Sequence, residues 1–471
     1  MKAIAVLLLL LCNTVVNAQE CDCRKKFDSV QVYLRKNYAG FIDKVTPVTE
    51  QAYTAMLAKL RLQAATIKGA THCLLLVNRY LRFFKDQHLA LHIGYTPLRE
   101  KITLTPQQLD LLQKQPVSGV AGIYQADSLY KVALVKNLRG LRTYAGVIME
   151  SASPDWKPGD VLFELAATGP DKFDIISYAA QEVNFDTLTI GKQRDGLSAL
   201  GWQKPAAASP QQLTGVKKSD NTPAEIPAFA DMTAPFFFRQ INDSTGYLRI
   251  SSFDAASYPA ADSVLNASDE YLRRNPNLVI DVRNNGAGAD KLIERLRPLL
   301  YTQPVRITGA DFYATPDNIA AWRHTLDEQT GKLPGEYVEQ IRTVIEQGSG
   351  LQGRLVSMGP DENMILPAPL PAPAKVAVLI NGRCSNTAEQ FLLEAVQSQK
   401  VKLMGAPTAG ALDYSNIARV RFSAPDFSID YPVTRSRRIA AGQGIDNKGI
   451  QPAVKVNFHS AGWLEEVVKQ F

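Results

Sequence analysis

The sequence predicts an α/β core that follows an N-terminal helical cap and a small β-rich module. Three observations carry that prediction. From Phe236 onward, short apolar runs of strand length alternate with longer runs of helical periodicity, the pattern of an α/β layer. Residues 24–85 repeat their apolar side chains at helical spacing. Residues 89–210 hold short β-type runs punctuated by Gly, Pro and Asp.

The chain starts with Met1-Lys2, an apolar run from Ala3 to Cys12, and Val16-Asn17-Ala18. That order reads as a secretory signal peptide over residues 1–18, cut after Ala18. The apolar run is too short to span a bilayer comfortably, and no later segment has 18 consecutive apolar residues. The mature chain is therefore expected to be exported, periplasmic or secreted, with no integral membrane segment. It keeps Cys21, Cys23, Cys73 and Cys384. In an oxidising compartment, Cys21 or Cys23 is expected to pair with Cys73. A Cys-x-Cys bridge would be too cramped, and the spacing lacks the CxxC pairs of a zinc site.

Residues 19–95 form the predicted cap. Phe27, Val30, Val32, Tyr33 and Tyr38 make one apolar stripe, and Tyr53, Met56, Leu57, Leu60 and Leu62 make another. Leu74, Leu75, Val77, Tyr80, Leu81 and Phe84 make a third. The β-rich module covers 96–210, with strands expected at Gly122, Tyr130–Val135, Tyr144–Met149 and Asp160–Leu165. Residues 211–234 carry no periodic signal and read as a linker. The core spans 235–471. Gly246–Ile250, Asn277–Val282, Lys375–Ile380 and Val401–Gly405 read as strands. Helices are expected over Ala260–Arg274, Asp290–Leu299 and Thr387–Gln399, with a helical insertion over 316–347.

Composition narrows the function classes. The 471 residues are 45% hydrophobic and 21% charged, which excludes a wholly disordered or fibrous chain. The net charge of +6 is dispersed, without a basic stripe interleaved with aromatics, so nucleic acid is not an expected partner. No residue pattern calls for a cofactor or a metal.

Four segments could carry chemistry. Asp281-Val-Arg-Asn-Asn-Gly-Ala-Gly-Ala-Asp290 ends a buried strand in a glycine-rich turn before a helix. Backbone N–H groups at such a turn can face an anion or a developing oxyanion. In Asn381-Gly-Arg-Cys-Ser-Asn-Thr-Ala-Glu389, a second strand enters a tight turn and a helix. That turn suits either a nucleophile or a helix cap in which Glu389 closes a box. Asp86-Gln-His88 offers an imidazole beside a carboxylate, as general-base chemistry requires. With His92 it falls in a segment that alternates like a strand, which would turn both histidines to one side. The stretches 404–416 and 444–452 read as surface turns closing the core.

In this order, the segments resemble the C-terminal-processing (tail-specific) protease family, in its tricorn-core-like branch with a His base. Asp281 to Gly288 is similar to that family's "DLRNNGGG" strand-turn. Val378 to Glu389 is similar to its "LVNxxTASAAE" turn, and Gly405-Ala-Pro-Thr-Ala-Gly to its "VGExTAG" segment. Gly246-Tyr-Leu-Arg-Ile-Ser-Ser-Phe resembles its "GYIRIxxF" strand, and Asp86-Gln-His88 its "DGHT" element. The resemblance implies a crotonase-like, ClpP-like α/β core and a serine-type peptidase acting on peptide or protein substrates. It implies His88 as base, Asp86 as its orienting neighbour, and Asp446 as a supporting acid. Gly286, Ala287 and Gly288 would supply oxyanion-hole amides. The β module would stand where many relatives carry a PDZ domain, in degenerate form or as an unrelated module.

Aligned on Glu389, the family's serine falls on Asn386, and Ser385 lies one residue early. An amide cannot form an acyl-enzyme as a serine does. A shift of one residue across a turn into a helix swings a side chain by roughly 100°. Three readings follow: a peptidase using Ser385 in an adjusted turn, a pseudo-protease that binds peptides without cleaving them, and a carrier of small apolar ligands on the same fold. Cys384, beside the turn, reads as a core residue.

Overall fold

A computed structural model describes residues 21–471 other than 97–98, 116–119, 127–128, 179–181, 191–196, 198–201, 203, 205–233, 287, 289, 329–330 and 332–334. The expected signal peptide, nearly all of the linker and Ala287 lie outside the described residues.

The core is a six-stranded sheet. Its strands lie side by side in the order Val454–Lys455, Val401–Gly405, Lys375–Ile380, Asn277–Asp281, Thr245–Ile250 and Phe236–Asn242. All neighbours are parallel except the last pair, a hairpin turning at Asp243 and Ser244. The strands alternate faces, as period-2 geometry demands. Leu278, Ile280, Val376, Val378 and Leu403 pack under the helices Tyr258–Arg274, Lys291–Leu300 and Thr387–Ala395. Val279, Ala377, Leu379 and Met404 face the other way, against Leu464 and Val467 of the helix Trp463–Val468. The central strands are buried on both faces, which explains their nearly continuous apolar runs.

A second sheet, not visible in the sequence patterns, packs against the cap and the insertion helices. The strand Phe427–Ser436 is its spine. Tyr414–Phe422 pairs along one side. On the other side, Ala90–Ile93 pairs with residues 427–430 and Ala310–Ala314 pairs with residues 434–436. Between those two partners, the carbonyl of Pro432 accepts from the N–H of Ala39 at 3.1 Å. His92 stands on the strand Ala90–Ile93, whereas His88 lies in the turn before it. The expected shared face of the two histidines is thus corrected. Alternation begins only at Ala90, and His92 is held by Asp430 at 2.8 Å.

The cap consists of the helices Cys23–Asn37, Glu50–Ala64 and Ala70–Phe83, plus one turn over Phe41–Lys44. The disulfide joins Cys23 to Cys73, and Cys21 is free and buried. A buried polar network fixes the cap to the insertion helix Pro316–Glu328. Thr315 Oγ1 donates to Asn37 Oδ1 at 2.7 Å, and Asn318 Nδ2 donates to the Asn37 carbonyl at 2.9 Å.

The β-rich module is an up-and-down antiparallel meander of six strands between Gly122 and Thr189, each pairing with the next in sequence. The helix Pro106–Gln113 packs on its first two strands. Its last two strands, Lys172–Tyr178 and Val183–Thr189, go beyond the expected four. The module rests on the cap helix Ala70–Phe83: His72 bonds Glu164 at 2.9 Å, and Arg79 and Arg82 both pair with Asp174. Among the described residues, no helix is long and apolar enough to cross a membrane.

Candidate active site

Parallel register brings the dispersed motifs to one place. Asp281 aligns with Leu379, and Ile380 aligns with Gly405. The turns that follow these strands must therefore emerge together, at the carboxyl end of the sheet, where open α/β sheets present their ligand sites.

The turn after Ile380 is sharp and strained. Asn386 has φ 51° and ψ −116°, a conformation that ordinary L-residues avoid. It stands at the junction of strand and helix, the arrangement of a nucleophile elbow. Glu389 holds it there. This wholly buried carboxylate accepts from the N–H of Asn386 at 3.2 Å, the Glu389 half of the expected box. It also accepts from Thr408 Oγ1 at 2.6 Å and from the N–H groups of Gly410, Ala411 and Leu412 at 2.6, 2.9 and 3.0 Å. Five donors converge on one carboxylate and tie the elbow to the 408–412 loop. That loop is not the expected surface turn: Thr408 and Asp413 are buried, and Thr408 receives the N–H of Ile450 at 2.8 Å.

The glycine turn faces the elbow through its carbonyls. Ser385 Oγ donates to the Gly286 carbonyl at 2.7 Å, and Asn386 Nδ2 donates to the same oxygen at 3.0 Å. Thr387 Oγ1 donates to the Gly288 carbonyl at 2.9 Å. Gly286 and Gly288, expected to supply oxyanion-hole amides, present carbonyl oxygens to the three side-chain donors at 385–387. Gly288 is indispensable on steric grounds: it has φ 148°, and a Cβ there would come within 2.1 Å of the Phe253 backbone. Asn284 and Asn381 brace the two turns against each other, with N–H to Oδ1 at 3.0 Å and Nδ2 to Oδ1 at 2.8 Å.

His88 approaches from the cap. Its N–H donates to Asp86 Oδ1 at 2.9 Å, and its Nδ1 lies 3.7 Å from the same oxygen, buried and without a hydrogen-bond partner. Tyr38 donates its hydroxyl to Asp86 Oδ2 at 2.6 Å. Burial pushes the Asp86 carboxyl above its ordinary value, although the bonds from Tyr38 and His88 pull the other way. Tyr38 itself is pushed well up by burial and by the Asp86 charge. Gln87 Nε2 donates to the Ala409 carbonyl at 3.1 Å, and the Ala409 N–H donates to the Cys384 carbonyl at 2.9 Å. Two hydrogen bonds thus link the His88 loop to the elbow. Asp446 sits in a neighbouring polar cluster, where it pairs with Lys44 and its N–H donates to Asp413 Oδ2 at 2.9 Å.

The sequence did not single out Tyr38, Gln87 or the many donors on Glu389. No local pattern marks a residue 48 positions from its partner, as Tyr38 is from Asp86.

Residues 244–456 match the family model described as Peptidase family S41. Mature CPAF superposes with a TM-score of 0.51 at 12% identity, over 95% of this chain and 96% of that one. Mature CPAF complexed with lactacystin gives the same score and identity, over 95% and 97%. The photosystem II D1 C-terminal processing protease scores 0.37 at 12% identity, over 95% and 96%. At these identities the CPAF likeness concerns the fold alone. No curated protein gives a significant sequence match. The family match covers the parallel strands, the glycine turn, the elbow and the 408–412 loop together, so residues 244–456 carry a Peptidase family S41 domain.

Proposed function

We propose that the chain is an exported S41-family protein that binds peptides beside the elbow and does not form an acyl-enzyme. The observation that carries this reading is Asn386 itself. It occupies the strained elbow, and its amide is bonded to the Gly286 carbonyl. An amide there supplies neither an ionisable proton nor a nucleophilic oxygen. Ser385 is no substitute, because its hydroxyl donates to the same carbonyl. His88, whose backbone N–H is bonded to Asp86, is an imidazole without a nucleophile to activate. The signal-like start and the Cys23–Cys73 disulfide favour an oxidising compartment.

The carrier reading gains no support from the large groove of about 780 Å³. It is an open depression on the cap surface, lined by Arg24, Lys25, Val32, Tyr33, Lys36 and Asp317, rather than the enclosed pocket a carried apolar ligand needs.

The test is a peptide panel with free carboxyl termini. Saturable binding by fluorescence anisotropy with no turnover is the expected result. Turnover that disappears in both Ser385→Ala and His88→Ala would overturn the reading in favour of a working peptidase.

A further inference from the structure

We infer that Ser385 is a positioning residue which, with Asn386, locks the Gly286 carbonyl toward the elbow and so denies the site its oxyanion donors. The inference rests on the catalytically silent reading above and names what keeps the site silent besides the missing nucleophile.

Two donors converge on the Gly286 oxygen, Ser385 Oγ at 2.7 Å and Asn386 Nδ2 at 3.0 Å. Ser385 also donates its N–H to the carbonyl of Asn285 at 3.1 Å, so it grips two successive carbonyls of the glycine turn. An oxyanion needs N–H donors aimed at it, and a carbonyl oxygen in that place presents negative charge instead.

Two further observations indicate that this is one of two orientations of the turn. Gly286 has no steric need to be glycine as it stands. A Cβ there would find nothing closer than Ser385 Oγ at 3.4 Å, whereas at Gly288 it would strike backbone at 2.1 Å. A glycine without a steric reason in the observed conformation still provides freedom to rotate its peptide plane. Next to it, the wholly buried Asn285 bonds Ile250 through Nδ2 at 3.2 Å, but its Oδ1 has no partner. An orphaned buried acceptor beside the turn is a cost that this conformation carries.

The consequence is specific. Asn386→Ser supplies a hydroxyl but leaves the Ser385 bond in place, so it alone makes a poor hydrolase. Removing both donors frees the turn.

The experiment uses the full mature chain and a fluorophosphonate probe, read by intact mass. Wild type is expected to stay unlabelled, N386S to label slowly, and S385A/N386S to label about tenfold faster or more, the scale of one oxyanion donor. Equal rates in the two variants, or no labelling of the folded double variant, overturn the lock. A second measurement does not depend on catalysis. In S385A alone, amide hydrogen exchange over residues 282–290 should rise about tenfold while the strand Lys375–Ile380 keeps its protection. Unchanged exchange over 282–290, or a rise across the whole core, overturns it as well. Turnover by the wild type would instead reject the silent reading and leave the exchange result to judge the lock.

Discussion

Cys384 stands two residues before Asn386, yet its chemistry is closed. Its thiol donates to the Val282 carbonyl at 3.1 Å, and burial pushes it up to about 11. At pH 8 the thiolate fraction is therefore on the order of one in a thousand. Ellman's reagent should leave Cys384 unlabelled in the native protein and react with it promptly in guanidinium. Asp281 shows the opposite balance. Burial would raise its carboxyl, but Arg283, with bonds of 2.9 and 2.7 Å, and Arg249 at 2.5 Å outweigh burial and hold it below 3.8. A depressed folded value contributes stability above the unfolded value, and that stability is lost as pH falls through the folded one. Asp281→Asn should cost about 3–5 kcal/mol at pH 7 by leaving buried guanidinium groups unpaired. Its deficit against wild type in denaturant titrations should shrink below pH 3.8. The sequence showed both residues, one as core and one at a strand end. It could not show the arginines around Asp281, because Arg249 belongs to a different strand.

At the scale of elements, the elbow and the 408–412 loop behave as one unit because Glu389 joins them. Replacing that carboxylate with an amide puts an NH₂ among five donors and leaves several of them unpaired. Glu389→Gln should lower stability by about 3 kcal/mol in urea unfolding and release the protection of the Gly410, Ala411 and Leu412 amides in hydrogen exchange. The strands Asn277–Asp281 and Lys375–Ile380 were legible because burial on both faces leaves a continuous apolar run. The strands Tyr414–Phe422 and Ala310–Ala314 were not. They mix Arg, Ser and Asp with apolar residues, and Ala310–Ala314 pairs with a strand more than a hundred residues downstream. The elbow's location was legible from the motif order. The direction of the Gly286 carbonyl was not, because it depends on hydroxyl and amide donors a hundred residues downstream.

At the scale of the whole molecule, the Cys23–Cys73 bridge closes a loop of 50 residues, worth about 4 kcal/mol of unfolded-state entropy. Replacing both cysteines with serine should lower the unfolding free energy by about that amount in denaturant titrations, with little change in the far-ultraviolet spectrum. The helical cap was legible as three apolar stripes, yet nothing in its periodicity announced that it would be stitched into a sheet. Its strand Ala90–Ile93 extends the second sheet, and Ala39 caps the Pro432 carbonyl where two partner strands leave a gap. The cap therefore works as a selvedge, finishing an edge that would otherwise fray. A chain begun after residue 95 would carry a bare strand edge over 427–433. It should self-associate in light scattering at concentrations where the full-length mature chain does not.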